Sequence, residues 1–320
     1  MIRSETELNL WSGRNEMAFT LGSVPNLSGK TSVITGANSG LGLATAFAFA
    51  SKGAHVVMAA RNPAKVNAAR DSILAAYPNA SIEIAQLDLA SLQSVADCAE
   101  QLLAKHERID ILMNNAGLMA MPQGQTADGF ETQFGVNHFG HWALTARLMP
   151  ALRNAPEARV VTVSSSAHHF GRAVDPTKIN GRDRYNSWLA YGDSKLANYH
   201  FALGLQKHFE NTGSKAKSLM AHPGLTNTNL QAQTVEEGGG GFLADISLKF
   251  VHVLGMSAEQ GALPQIRAAT DPQAKGGQFY VPRWFTFGAP VVRPILRPRN
   301  NRAIQRLWTM SETATGLSLS

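Results

Sequence analysis

Tyr191 and Lys195 stand four positions apart in Tyr191-Gly192-Asp193-Ser194-Lys195, so a helix would hold both on one face, one turn apart. A phenol with its ordinary pKa of about 10 is a poor acid at neutral pH. An ammonium beside it favours the phenolate and draws that value down. A drop of roughly three units needs about 4 kcal/mol of differential interaction, near the upper end of what one close charge supplies. The pair therefore has the makings of a tuned general acid/base. The same spacing also decorates ordinary solvated helix faces, so its meaning depends on what the rest of the chain places around it.

A second chemical signal lies near the other end of the chain. Thr35-Gly36-Ala37-Asn38-Ser39-Gly40-Leu41-Gly42 follows a β-branched run and opens an alanine-rich segment. Glycine at these intervals permits a tight strand-to-helix turn and lets backbone amides at a helix N-terminus approach a pyrophosphate. In this strand–turn–helix setting the pattern predicts dinucleotide binding through Gly36, Asn38, Ser39, Gly40, Leu41 and Gly42. The next strand ends in Ala59-Ala60-Arg61. An NAD-selective site places a carboxylate there for the ribose 2′-hydroxyl; Ala60 has none, and Arg61 is able to grip a 2′-phosphate as a bidentate cation. NADP(H) is therefore expected in preference to NAD(H). Further on, Leu87-Asp88-Leu89 offers the Asp88 carboxylate to an adenine amino group, with Leu89 beside it. Asn114-Asn115-Ala116-Gly117 closes a fourth strand with small residues, Asn115, Ala116 and Gly117, suited to lying against a ribose.

These motifs need a frame. Short β-branched runs at 31–35, 55–60, 82–86, 109–114, 159–164, 217–221 and 278–281 alternate with helical segments, the pattern of a parallel sheet wrapped by helices. Asn62-Pro63 reads as an N-cap followed by proline at the first helical position, and Ser257-x-x-Gln260 has capping-box spacing. The strand–helix alternation reads as one domain rather than two, and no internal repeat is visible. Two stretches break the rhythm. Residues 166–187 form a polar insert. Residues 225–256 contain Gly238-Gly239-Gly240-Gly241 followed by an apolar, amphipathic segment, 242–254, which reads either as a hinged flap or as a long connection packed on the core.

The 320 residues include 44% hydrophobic and 16% charged side chains, enough to bury a large core. The one cysteine, Cys98, excludes a disulfide framework or a cysteine metal cluster and fits a reducing compartment; as a small helix residue it has no expected chemistry. The first 28 residues lack the continuous apolar segment of a signal peptide, and no apolar run reaches the length of a membrane span. A soluble, cytoplasmic protein is expected. The net charge of +6 is concentrated at the end of the chain: seven cations and no carboxylate lie between Pro272 and Met310. No reading helix or base-stacking platform accompanies this patch, so nucleic acid is not expected as a partner. Contact of the 291–297 stretch with an anionic membrane surface is a subordinate expectation. His138 and His141 lie three apart without a third ligand nearby, and no metal is expected. Ile304, Leu307 and Trp308 share one helical face, which predicts a docked C-terminal helix.

Together these residues resemble the short-chain dehydrogenase/reductase family. The resemblance runs from about Gly29 to Pro282 and rests on separated motifs in order: TGANSGLG at 35–42, NNAG at 114–117, Asn137 in Val136-Asn137-His138, Ser164-Ser165, YGDSK at 191–195, and Pro223-Gly224. The wording VNHFGHW, SSSAHH and YGDSKLAN, and the long interval between Ser165 and Tyr191, are most similar to the retinol-dehydrogenase-like and protochlorophyllide-reductase-like branch. The resemblance implies a single α/β Rossmann-type doubly wound domain, with a seven-stranded, mainly parallel sheet and helices on both faces. It would span 29–282, with an N-terminal extension at 1–28, a substrate flap at about 225–256 and a basic tail and helix at 283–320.

The resemblance also implies roles. Tyr191 exchanges a proton with the substrate oxygen, while Lys195 lowers its pKa and binds the nicotinamide ribose. Ser165 hydrogen-bonds the substrate oxygen, with Ser164 and Ser166 as neighbours that leave the choice open. Asn137 holds a water in a proton relay with Lys195. Pro223, Gly224 and Thr228 lie on the nicotinamide side, and His168-His169 shapes the rim. Pairing as a homodimer through the helices carrying Asn137 and Tyr191 is one arrangement the family uses. The expected function is NADP(H)-dependent interconversion of a carbonyl and an alcohol, and the apolar flap residues Phe242, Leu243, Ile246, Phe250, Val251 and Leu254 suggest a hydrophobic substrate. Two alternatives are reduction of a carbon–carbon double bond and a cofactor-sensing scaffold without turnover.

Overall fold

Alternate residues of each central strand are apolar on opposite faces, so each strand must be covered twice. In the computed structural model, which describes residues 18–173, 185–226, 255–294 and 301–319, they form one sheet. Its strands are β1 (Thr31–Thr35), β2 (His55–Ala60), β3 (Ser81–Gln86), β4 (Ile111–Asn114), β5 (Arg159–Val163), β6 (Lys217–Ala221), β7 (Phe279–Pro282) and β8 (Pro290–Arg293), in the order β3-β2-β1-β4-β5-β6-β7-β8. The first seven run parallel, with Val33 in register between Val57 and Leu112. Parallel strands need crossovers, and the helices that supply them are α1 (Gly40–Ala50), α2 (Pro63–Ala76), α3 (Leu92–Lys105), α4 (Gly140–Asn154), α5 (Ser187–Asn211) and α6 (Ala258–Thr270), followed by α7 (Asn301–Thr315).

The helices divide between the two faces. Val33 and Val57 join Val95, Trp142 and Phe201 on one side. Their chain neighbours Ile34, Val56 and Met58 join Phe49, Ile73 and Ile266 on the other. This is the doubly wound α/β arrangement. The caps read from sequence are present: Asn62 Oδ1 accepts from the Lys65 amide at 3.0 Å, and Ser257 and Gln260 cap each other reciprocally.

The sheet has eight strands rather than seven. β8 pairs antiparallel with β7, setting Val281 beside Val291. Only four residues long and bounded by Pro290 and Pro294, it lacks the length of a strand signal, although proline is tolerated on an edge strand. The 283–320 segment thus adds both an edge strand and α7 to the same fold. α7 docks on α5 through Trp308, which stacks on Phe201 at 6.1 Å and meets Trp142 edge-on at 4.6 Å. Leu307 is fully buried beside them. Gly204 makes this approach possible, because a Cβ there would collide with the Trp308 ring. Residues 174–184 of the polar insert and 227–254 of the expected flap, with Thr228 and the four glycines, lie outside the described residues.

Gly204→Val should therefore push α7 off its seat and lower stability by about 1–3 kcal/mol. A shifted denaturant midpoint with an unchanged slope would show this, and an unchanged midpoint would mean that Trp308 does not pack there.

Candidate active site

The strand order reverses direction between β1 and β4, and crevices for ligands form at such points beyond the carboxyl ends of the strands. Here the Gly36–Gly42 turn leaves β1 at that crevice. Gly36 has φ +67° and Gly40 φ +53°, a region open to glycine at little cost. A Cβ on Gly42 would strike the Gly36 carbonyl and lie 2.7 Å from Asn115 Nδ2. These glycines keep the backbone close enough for a phosphate to meet the first amides of α1. A cavity of about 580 Å³ runs from Gly36 and Arg61 past Asp88 and Gly117 to Tyr191, Lys195 and Pro223. A hollow of about 770 Å³ between Phe130, Phe139 and α7 holds none of these groups.

The far end of the cavity receives Ala60, Arg61, Asn62 and Lys65. Arg61 is exposed, and its carbonyl is held by Gln86 Nε2 at 2.8 Å. Lys65 adds a second cation that the sequence reading passed over, although its place in the first turn of α2 was implied by the Asn62-Pro63 cap. Asp88 Oδ1 accepts from the Ala90 amide at 2.9 Å, which fixes that carboxylate against the cavity beside Leu89. Asn115 Nδ2 donates to the Thr35 carbonyl at 2.8 Å, and Asn115 Oδ1 accepts from Gln265 Nε2 at 3.1 Å.

At the other end, β5 delivers three serines. Ser164 is buried and donates to the Lys195 carbonyl at 3.0 Å, so its hydroxyl is committed to α5. Ser165 stands beside Tyr191 and hydrogen-bonds its phenol. Ser166 is exposed. Tyr191 and Lys195 lie on one face of α5, with Lys195 Nζ 5.7 Å from the phenol ring centre and 3.3 Å from the Val163 carbonyl. Both are almost wholly buried, at 6% and 5% exposed.

Burial changes the electrostatics foreseen from spacing alone. It pushes the Tyr191 phenol above its ordinary value, and the hydrogen bond from Ser165 offsets only part of that rise. Spacing alone predicts an ammonium that lowers the phenol. In the structure the larger change falls on Lys195 itself, which burial draws down to about 8.

Asn137 sits in a single π-helical turn, Gly135–Phe139, ahead of α4; such turns often mark functional positions. Its Oδ1 accepts from the Leu118 amide at 2.7 Å. Its Nδ2 donates to the Leu118 carbonyl at 2.9 Å and to Ser194 Oγ at 2.9 Å. The side chain is therefore a clamp on the 118 backbone. Gly117 lies in the gap between it and the ammonium: a Cβ there would be 3.1 Å from Asn137 Oδ1 and 3.3 Å from Lys195 Nζ.

His141, considered in the sequence only as a partner of His138 for a metal, has a different place. It is buried, and burial lowers its pKa to about 4, which keeps it neutral. Its Nδ1 lies 3.1 Å from the Asn137 carbonyl, which only accepts, so that nitrogen carries the hydrogen. Nε2 then accepts from the Thr35 hydroxyl at 2.9 Å, and Thr35 Oγ1 in turn takes the Asn115 and Ala116 amides, each at 2.9 Å. One neutral imidazole thus ties the Asn137 turn to the Asn115 loop. The i, i+4 step from Asn137 to His141 was the available signal. His138 instead meets Ser311 Oγ of α7 at 2.8 Å. Cys98 is buried, and burial with the Glu83 charge pushes its thiol up to about 12.

Lys195 keeps its proton at pH 7 in both folded and unfolded chains, but the folded site disfavours it. With a folded value near 8 against an ordinary 10.5, the cost is about 3 kcal/mol below pH 8 and fades between pH 8 and 10.5. Lys195→Met should thus be more stable than the parent at pH 7, by an amount that shrinks toward pH 10.5. Chemical denaturation across that range checks this, and a pH-independent difference or a less stable variant would contradict it.

The chain matches the short chain dehydrogenase family model over residues 30–238. It is 35% identical to mouse retinol dehydrogenase 12 over 296 residues, 91% of this chain and 88% of that one. It is 38% identical to the chloroplastic short-chain dehydrogenase TIC 32 B of Brassica napus over 253 residues, 77% of each chain. Among solved structures, a Mycobacterium paratuberculosis protein superposes with a TM-score of 0.75 at 36% identity, covering 95% of this chain and 99% of that one. A Beutenbergia cavernae protein with NADP bound at low occupancy gives 0.61 at 27% identity, covering 79% and 95%. Among the described residues no helix is long and apolar enough to cross a membrane. The chain belongs to the short-chain dehydrogenase/reductase family, in its retinol-dehydrogenase-like branch, and is an oxidoreductase acting on CH–OH groups of small molecules with a nicotinamide dinucleotide.

Proposed function

We propose that this enzyme interconverts a carbonyl and an alcohol on a hydrophobic substrate, using NADP(H), with Tyr191 as the general acid/base. The observation that carries this reading is the meeting of Ser165, Tyr191 and Lys195 in the cavity whose other end is the Gly36–Gly42 turn. NADPH, when bound, supplies the hydride; Gly36, Asn38, Ser39, Gly40, Leu41, Gly42, Asp88, Leu89, Asn115, Ala116, Gly117, Pro223 and Gly224 would hold it. In reduction Tyr191 donates its phenolic proton to the carbonyl oxygen, and Ser165 Oγ hydrogen-bonds that same oxygen. A phenol held above its ordinary pKa by burial keeps its proton until that oxygen becomes basic. The Lys195 ammonium, beside the ring and close to its own pKa, favours the phenolate left behind and is placed to pass a proton onward. Asn137 acts by holding the loop at Leu118, and its carbonyl keeps a second lone pair for a relay.

Support for NADP(H) over NAD(H) comes from Arg61 and Lys65 at the end of the cavity and from the missing carboxylate at Ala60. Support for an apolar substrate comes from Leu118, Met119, Phe170, Trp188 and Leu225 around the reacting end; retinol, the substrate in the name of the mouse relative, is a compound of that kind. A homodimer built on the helices carrying Asn137 and Tyr191 is disfavoured, because α7 lies over α5 there. We infer that any pairing uses another face.

Arg61→Ala should weaken NADPH binding roughly tenfold or more while leaving NADH unchanged; fluorescence titration with both cofactors reads this, and an unaltered NADPH affinity would refute the cofactor preference. Tyr191→Phe should lower kcat by about a hundredfold or more with cofactor affinity retained. Turnover near the parent level on aldehydes, ketones or retinoids would remove Tyr191 from the chemistry.

A further inference from the structure

We propose that His55, Glu83 and His106 form a binding site for a divalent transition-metal ion of the zinc class, at the edge of the sheet opposite the active site. The three come from three elements: His55 opens β2, Glu83 is the third residue of β3, and His106 caps the end of α3. His106 Nε2 lies 2.8 Å from Glu83 Oε2, and His55 Nε2 lies 3.4 Å from the same oxygen. All three ligand atoms fall within 4.8 Å of one another. A zinc ion with bonds of about 2.0–2.2 Å holds its ligand atoms roughly 3.3 Å apart, so the trio needs only small side-chain adjustments to close on one.

The surroundings favour an ion over a simple ion pair. Two imidazoles aimed by the same ring nitrogen at one carboxylate oxygen must either both carry a proton there or share a cation in its place. The other nitrogen of His55, Nδ1, is 2.7 Å from Ser81 Oγ, the outer contact that orients a metal-bound histidine. Lys105 Nζ occupies Glu83 Oε1 at 2.9 Å, which leaves Oε2 as the ligand atom. The side chains of His55, Glu83 and His106 are 28%, 19% and 14% exposed, so an ion can enter and water can complete its shell. Two imidazoles and one carboxylate select zinc-like ions over magnesium or calcium.

The site is remote from the reaction. Ala60, which lines the cofactor cavity, lies five residues along β2 from His55, or roughly 16 Å at the rise of a strand. A bound ion would tie the edge strand β3 to β2 and α3, and an ion that binds only the folded chain stabilises it.

The test uses the full chain, free of any polyhistidine tag and treated with chelator. Equilibrium dialysis against Zn²⁺ with metal analysis, together with thermal melts, should give one Zn²⁺ per chain and a raised Tm. His106→Asn and Glu83→Gln should each lower Zn²⁺ affinity tenfold or more and remove the Tm rise, with NADPH affinity unchanged. Ser81→Ala should weaken binding by about tenfold. If either variant fails to fold, His55→Gln supplies the same readout. No uptake at submillimolar Zn²⁺, or uptake that the variants leave unchanged, would overturn the proposal.

Discussion

A lysine ammonium buried at the carboxyl end of a parallel sheet is the constraint around which this molecule is built. Lys195 has the Val163 carbonyl as its close polar neighbour, and burial draws its pKa down. Such a group is costly to keep charged. The fold meets that cost because α5 is packed on nearly every side, by β5, the Asn137 turn and α7. Tyr191 and Ser165 are rigid for the same reason, and rigidity is what proton transfer at a fixed oxygen requires.

The cofactor end is governed by a different constraint, close backbone approach. Gly42 lies against the Gly36 carbonyl and the Asn115 amide, and Thr35 gathers the amides of Asn115 and Ala116. Through His141 the same hydroxyl reaches the Asn137 turn. The two halves of the cavity are thus joined by one buried, neutral imidazole.

Much of this was legible in the residues. The β-branched runs and the Asn62 and Ser257 caps mark elements by local rules, and local rules survive folding when the segments are long and buried. β8 was not legible, because four residues that start with one proline and precede another carry no period of their own, and they pair only with β7. The Tyr191–Lys195 spacing identifies neighbours but not their electrostatics, since Lys195 is enclosed by β5 and the Gly117 and Asn137 segments, far away in sequence. Lys65 was one turn beyond a cap already recognised. Gln265 and the trio of His55, Glu83 and His106 are joined across widely separated segments, so no spacing reveals them.

The chemistry depends on a buried Lys195 whose pKa is drawn down to about 8, beside a Tyr191 that stays protonated well above neutrality. The pH dependence of kcat/KM for NADPH-driven carbonyl reduction reports ionisations of the free enzyme, with the apparent values belonging to the coupled pair. A profile that is level near neutrality and falls through an apparent pKa close to 8 is the result this structure predicts. A profile that stays flat to pH 10, or rises through pH 8, would contradict it.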